Sequence, residues 1–356
     1  MSRRKDEAYI FACARIRSNE RSLLSDLQFE KMVTAKDLAE AAAVLAEAGY
    51  EVASSGGASV PGAQTPSGTP VGTAGRSKET IDSDRILTAE QNKLYDVVRS
   101  ALPDAQEISA LLLPGDYHNL KVLLKAEFLK TDPAPLMVST GTIDPVRLQE
   151  MLRERSLADL SPCMRQGVEQ AIAQFAKNAD PQQVDFILDR ACYQDMAAAA
   201  ERLGNAFIIG YVRRLIDCLN VKAFVRLRRM GKSFESLREV FLPGGTVPES
   251  LLTDVYEEPL SRAAELLMTY GFQPAFSEGG ADIEENGRFT RFERMCDDFL
   301  MEYIRQAKYV SFGIEPVAAY LLAKESELKT VRILLAGKAA NLPPAQIRER
   351  MRAAYV

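Results

Sequence analysis

The sequence predicts an all-α protein, on three observations. Apolar residues recur every three or four positions over long stretches, as in Tyr193, Met196, Ala200, Leu203, Phe207, Tyr211, Leu215 and Cys218. That spacing lays one stripe of a helix against a core. No run alternates apolar and polar residues as a half-buried strand would. Proline and glycine fall between the periodic stretches, where helices would begin and end.

Taken in order, residues 8–50 read as helical, carried by Leu23, Leu24, Leu27, Phe29 and Met32 and then by Leu38, Ala41, Val44 and Leu45. Residues 53–78 change to Ser, Gly, Pro, Thr and Ala. Such a segment buries too little apolar surface to offset the entropy of ordering, so a disordered insertion is expected there. Helical spacing resumes over residues 87–102 and 117–129, with Pro103 and Pro114-Gly115 between them. Residues 136–143 are short and turn-rich, and a helix starts near Pro145. The stripe from Tyr193 to Cys218 predicts one long helix within residues 161–230. A second long helix is marked by Phe292, Met295, Phe299 and Tyr303, after an acidic, glycine-rich connector at 277–286. The last begins near Glu315, because Pro316 fits a first turn where its missing N–H is no loss. Val317, Tyr320, Leu321, Leu328, Val331 and Leu335 give it one buried face, and Glu325, Glu327, Lys329 and Arg332 the other.

A short pattern is written three times: Asp116-Tyr-His-Asn119-Leu-Lys121, Asp217-Cys-Leu-Asn220-Val-Lys222 and Lys324-Glu-Ser-Glu327-Leu-Lys329. Asn119, Asn220 and Glu327 lie at intervals of 101 and 107 residues. Each copy is followed by an echo of a loop and a proline-started helix, at Gly141-Thr-Ile-Asp-Pro, at Gly245-Thr-Val-Pro-Glu and more loosely at Ala340-Asn-Leu-Pro-Pro. Near-constant intervals predict three related helical units, at residues 1–150, 151–255 and 256–356. Asp116, Asn119, Lys121, Asp217, Asn220, Lys222, Glu327 and Lys329 are expected to be structural residues of the repeat, since buried Asp and Asn on helices usually hydrogen-bond a neighbouring element.

Composition and motifs argue against most chemistry. A net charge of −5 disfavours a general nucleic-acid binder. Five scattered cysteines without a C-x-x-C pair suggest a reducing, cytoplasmic compartment. No run reaches membrane-spanning length, so membrane contact is expected only through partners. His118 is the sole histidine, too few for a histidine-based triad or metal site. Gly231-Lys232-Ser233 resembles the end of a phosphate loop but has Arg226 where that loop needs glycine. Asp297-Asp298 begins like the metal-binding aspartate motif of helical prenyl-transfer enzymes without its closing Asp, and reads better as a solvated helix face. The basic run Lys222, Arg226, Arg228, Arg229 and Lys232 reads as a helix side or an acceptor for an acidic partner, and Arg348, Arg350 and Arg352 as complements to a helix dipole. No catalytic, cofactor-binding or metal-binding residue is therefore assigned.

Together, the three repeat motifs, Phe312-Gly-Ile-Glu-Pro-Val-Ala-Ala-Tyr320, the ending Ile347-Arg-Glu-Arg350-Met-Arg-Ala-Ala-Tyr355-Val356 and Ala14-Arg15-Ile16-Arg17 near the start resemble the C subunits of V/A-type ATPases, a family whose vacuolar member is the d subunit. The resemblance covers nearly the whole chain outside the insertion. It implies a funnel of three related helical domains about a pseudo-threefold axis. It also implies a non-catalytic socket on the proteolipid rotor ring that receives the central shaft, subunits D and F, and lies peripheral to the membrane on its cytoplasmic side. Lys324 in place of Asp, and Glu327 in place of Asn, depart from the pattern of the other copies. A helical enzyme acting on a diphosphate ligand and an unrelated helical scaffold are the competing readings.

Overall fold

The computed structural model describes residues 9–52 and 81–356, so the insertion expected at 53–78 lies outside the described residues. Among them the fold is all-α, without a β-strand. Three helices, α1 (Ile10–Glu20), α2 (Asp26–Thr34) and α3 (Leu38–Glu47), precede α4 (Ser83–Ala101) and α5 (Ser109–Leu129). Then follow α6 (Pro145–Arg153), α7 (Pro162–Asn178), α8 (Pro181–Leu203) and α9 (Ala206–Arg229). The short α10 (Phe234–Val240), α11 (Glu249–Asp254), α12 (Leu260–Leu266) and α13 (Gly280–Asn286) lead to α14 (Thr290–Arg305), α15 (Ile314–Ala339) and α16 (Pro344–Arg350).

Local chemistry sets many of these ends. Ser25 and Gln28 close a capping box at the start of α2. Pro145, Pro162 and Pro181 occupy first turns behind the capping side chains Asp144, Ser161 and Asp180.

Two long helices differ from their expected bounds. The stripe from Tyr193 to Cys218 belongs to two helices, α8 and α9, not one. Between α8 and α9, Gly204 takes a left-handed φ of 68° and the Asn205 side chain accepts from the Ile208 N–H. A glycine stop beside an asparagine start turns the chain without disturbing the three-to-four spacing. Conversely, α5 runs straight through Pro114. An interior proline costs roughly 3 kcal/mol, but Leu111, Leu112 and Leu113 are all buried in the turn before it, at about 1.5–3 kcal/mol each. Burial wins.

The glycine-rich connector is also helical. Residues Ala275–Gly279 form a π-helical turn that continues into α13, with Gly279, Gly280 and Ile283 buried. A Cβ on Gly279 would stand 2.6 Å from the Phe292 Cα, so glycine here serves close helix packing rather than a flexible link.

The apolar interior has two parts. One joins residues between Tyr9 and Ile216 to residues between Met301 and Tyr355. The other gathers residues between Cys218 and Cys296 around Phe224, Phe272, Phe276 and Phe292. Helix α15 is the spine of the first. Instead of one buried face it is buried on every side from Pro316 to Lys324, because α1, α3 and α4 from the start of the chain and α14 and α16 from its end all pack on it.

Candidate functional site

The first two copies of the repeated motif hold loops in the same way. On α5, the Asp116 carboxylate accepts from the Thr142 N–H (2.9 Å), the Thr142 hydroxyl (2.6 Å) and the Ile143 N–H (2.9 Å). One turn on, Asn119 exchanges two bonds with Val138, its Nδ2 donating to the carbonyl (2.8 Å) and its Oδ1 accepting from the N–H (2.9 Å). On α9, Asp217 accepts from the Thr246 N–H, the Thr246 hydroxyl and the Val247 N–H, and Asn220 exchanges two bonds with Leu242. All four side chains are buried. Each asparagine amide thus substitutes for a backbone rung, pairing both the N–H and the carbonyl of Val138 or Leu242. Glycine is required at both loops by proximity: a Cβ on Gly141 or Gly245 would meet the Asp116 or Asp217 Oδ1 at 2.1 and 2.2 Å. Burial raises the pKa of both aspartates above the usual carboxylate value, although the threonine and backbone bonds pull the other way.

The lysines that follow each reach a helix further along the chain. Lys121 pairs with Asp189 of α8 at 2.7 Å, and Lys222 with Asp297 of α14 at 2.5 Å.

The third motif is built differently. Glu327 accepts from the Leu24 N–H, the Tyr50 hydroxyl and the Lys324 ammonium, each at 2.6 Å. Lys324, 2% exposed, also pairs with Glu90 at 2.9 Å and lies 4.4 Å from the Tyr50 ring centroid. Apart from Lys324 itself, these partners come from the opening helices of the chain and the segments beside them. Segment 340–347, the echo expected downstream, instead turns back on α15, where a Cβ on Gly337 would meet the Ile347 side chain at 2.8 Å. Lys329 is exposed.

Five helices, α4, α5, α8, α9 and α15, contribute side chains to one cavity of about 450 Å³. Tyr95, Tyr193, Tyr211 and Leu322 line its wall, and Glu325, Lys329 and Arg332 bring charge to it. The Tyr95 hydroxyl donates to Glu325. Burial raises the Glu325 carboxyl above its usual range, against the pull of Lys329 and Tyr95. His118 also borders this space, with its Nε2 2.9 Å from the Leu136 carbonyl.

A family model described as ATP synthase (C/AC39) subunit matches residues 71–350. The chain belongs to this family. Among similar proteins, the C subunit of the V-type sodium ATPase of Enterococcus hirae is 24% identical, over 77% of this chain and 83% of that one. The C subunit of the A-type ATP synthase of Methanocaldococcus jannaschii is 21% identical, over 96% of this chain and 85% of its own length. Its counterpart in the A-type ATP synthase of Halobacterium salinarum is 25% identical, over 75% and 77%.

In this C/AC39-family chain several residues of the remaining charged motifs have structural partners. Asp297 binds Lys222 and Arg352, and Asp298 accepts from the Ala353 N–H at 2.8 Å and from Arg294. The aspartate pair is therefore no solvated face but the clamp on the last residues of the chain. The two cations outweigh burial and hold Asp297 below the usual carboxylate range. Arg348 pairs with Glu30 of α2 at 2.8 Å, and Arg226 of the basic run with Glu293. Gly231 takes a left-handed φ just past α9 and ends that helix. Among the described residues no group of His, Cys, Asp and Glu side chains could hold a metal ion, and no helix is long and apolar enough to cross a membrane. Sequence reasoning missed Glu90, Leu24 and Tyr50, whose partners lie hundreds of residues away. It also missed Asp297-Asp298 as a clamp, although Lys222 and Arg352 were both in view.

Proposed function

We propose that the chain is a non-catalytic central-stalk adaptor of a V/A-type rotary ATPase. It couples the central shaft, subunits D and F, to the proteolipid rotor ring during ATP-linked proton or sodium transport. It would lie on the cytoplasmic side, peripheral to the membrane and held there by other members of the complex. Membership of the C/AC39 family supports this reading, as do relatives named as the C subunits of V-type and A-type enzymes.

The observation that carries it is the cavity faced by α4, α5, α8, α9 and α15, a socket walled by helices drawn from most of the chain. We read the walls as three related units, residues 1–150, 151–255 and 256–356, arranged as a funnel about a pseudo-threefold axis. The two identical loop pins, at Asp116/Asn119 and Asp217/Asn220, support that reading. An adaptor that passes torque must be stiff, and close-packed interiors with pinned loops deform little. Large apolar side chains left in solvent support broad partner contact: Tyr309 is 91% and Phe11 71% exposed. Phe11 is on α1 and Tyr309 in the segment before α15, and these two elements touch: Cys13 reaches the Gly313 carbonyl and Arg17 the Ala307 and Val310 carbonyls. A diphosphate-binding enzyme gains no support, because Asp297 and Asp298 are already engaged by Lys222, Arg352, Arg294 and the Ala353 N–H.

The test is affinity purification through a tag on this chain from detergent-solubilised membranes. Proteolipid and shaft proteins are expected in the eluate, and recovery of neither would overturn the proposal.

A further inference from the structure

Arg332 borders two spaces. On one side is the central cavity, and on the other a groove of about 570 Å³ between α14, α15 and α16. The groove has an apolar floor that includes Ile333, Ala336 and Leu342, and arginines at its rim. Two of its charged residues are already neutralised, Arg352 by Asp297 and Glu293 by Arg226. Arg332 and Arg350 are not: neither side chain has an ion pair or hydrogen bond among the described residues, and both are exposed. On a chain of net charge −5, two uncompensated cations over an apolar floor are an anion-selective feature. The floor follows α15 from Arg332 to Ala340, about 12 Å at 1.5 Å per residue, or two turns of helix. Ala336 and Ala340, both exposed, leave room for a second helix to approach α15 closely.

We propose that this groove seats an acidic, amphipathic helix of the central shaft, extending the grip of the socket outward along α15. The inference rests on the adaptor reading above. An apolar stripe at helical spacing would enter the groove, and flanking carboxylates would meet Arg332 and Arg350.

The experiment measures binding of the purified full-length chain to the purified shaft complex across a salt series. Arg332→Glu with Arg350→Glu should weaken binding at least about tenfold and flatten its salt dependence. Ala336→Trp, which fills the groove without changing charge, should weaken binding and leave the salt slope intact. Arg332→Gln with Arg350→Gln gives the same reading, with a smaller loss, should the charge reversal not fold. Wild-type chain that fails to bind the shaft overturns the adaptor reading itself. Wild-type binding that survives all three variants unchanged overturns the groove alone. So does loss of binding only to phosphatidylglycerol vesicles, which would make the site a lipid contact.

Discussion

The loops pinned by Asp116/Asn119 and Asp217/Asn220 and the cluster around Lys324/Glu327 occupy matching positions in a repeated motif, yet they are made of different chemistry. In the first two, a carboxylate and a neutral amide bind backbone groups of a loop that follows closely, 27 residues on for Asp116 to Ile143 and 30 for Asp217 to Val247. In the third, an ammonium and two carboxylates bind one another, and Glu327 reaches Leu24 across 303 residues. Closing a loop of 303 residues instead of 30 costs about 2 kcal/mol more in chain entropy. The closing contact has no neighbouring loop to read, so it is charged and multivalent. The difference teaches that a repeat can keep its helix while changing the partner that its polar positions serve.

Removing the cation should break this contrast most sharply. Lys324→Met leaves Glu90 and Glu327 buried without their common partner, and the loss is expected at about 3–5 kcal/mol, read as a fall in the urea midpoint at constant slope. Adding Glu90→Gln and Glu327→Gln should recover part of it, whereas an unchanged midpoint in Lys324→Met would mean that the cluster contributes little.

The pins come next. Asp116→Ala or Asp217→Ala orphans two backbone N–H groups and a threonine hydroxyl, at an expected cost of about 1–3 kcal/mol. Here the loss should be local: hydrogen exchange should quicken at Thr142 and Ile143, or at Thr246 and Val247, before it quickens in the core. Uniform quickening would show that the loops are not separately held.

The smallest effect is in acid, and it has opposite signs at two kinds of carboxylate. Asp297 is held below its ordinary value of 3.8. Its contribution is complete above that pH and is lost as pH falls through the folded value, so the advantage of wild type over Asp297→Asn should shrink in acid. Asp116 is raised above 3.8, so the folded chain takes up its proton first on acidification. Wild type should therefore gain on Asp116→Asn as pH falls. Thermal melts of the two variants from about pH 6 downward would separate the trends, and parallel curves would contradict the assignment.

Much of this was legible in the sequence, for identifiable reasons. Helical spacing and proline placement are local signals, and they gave the helical class, the start of α15 and the loops at Gly141 and Gly245. The break at Gly204-Asn205 was legible too, as a glycine stop beside an asparagine cap, but the unbroken apolar spacing across it argued for one helix. Pro114 misled in the opposite direction, since local propensity cannot weigh the three buried leucines beside it. The glycines at 279–280 read as a flexible connector because nothing nearby reveals that Phe292 packs against them. Glu90, Leu24 and Tyr50 carried no local signal at all. Their role exists only once α15 is in place.

That dependence bears on how the chain is made. Leu24 leaves the ribosome 303 residues ahead of Glu327, roughly 15–60 seconds at ordinary rates of synthesis. Throughout that interval the leading helices must wait without the spine they enclose, so the largest core cannot close until α15 has been made.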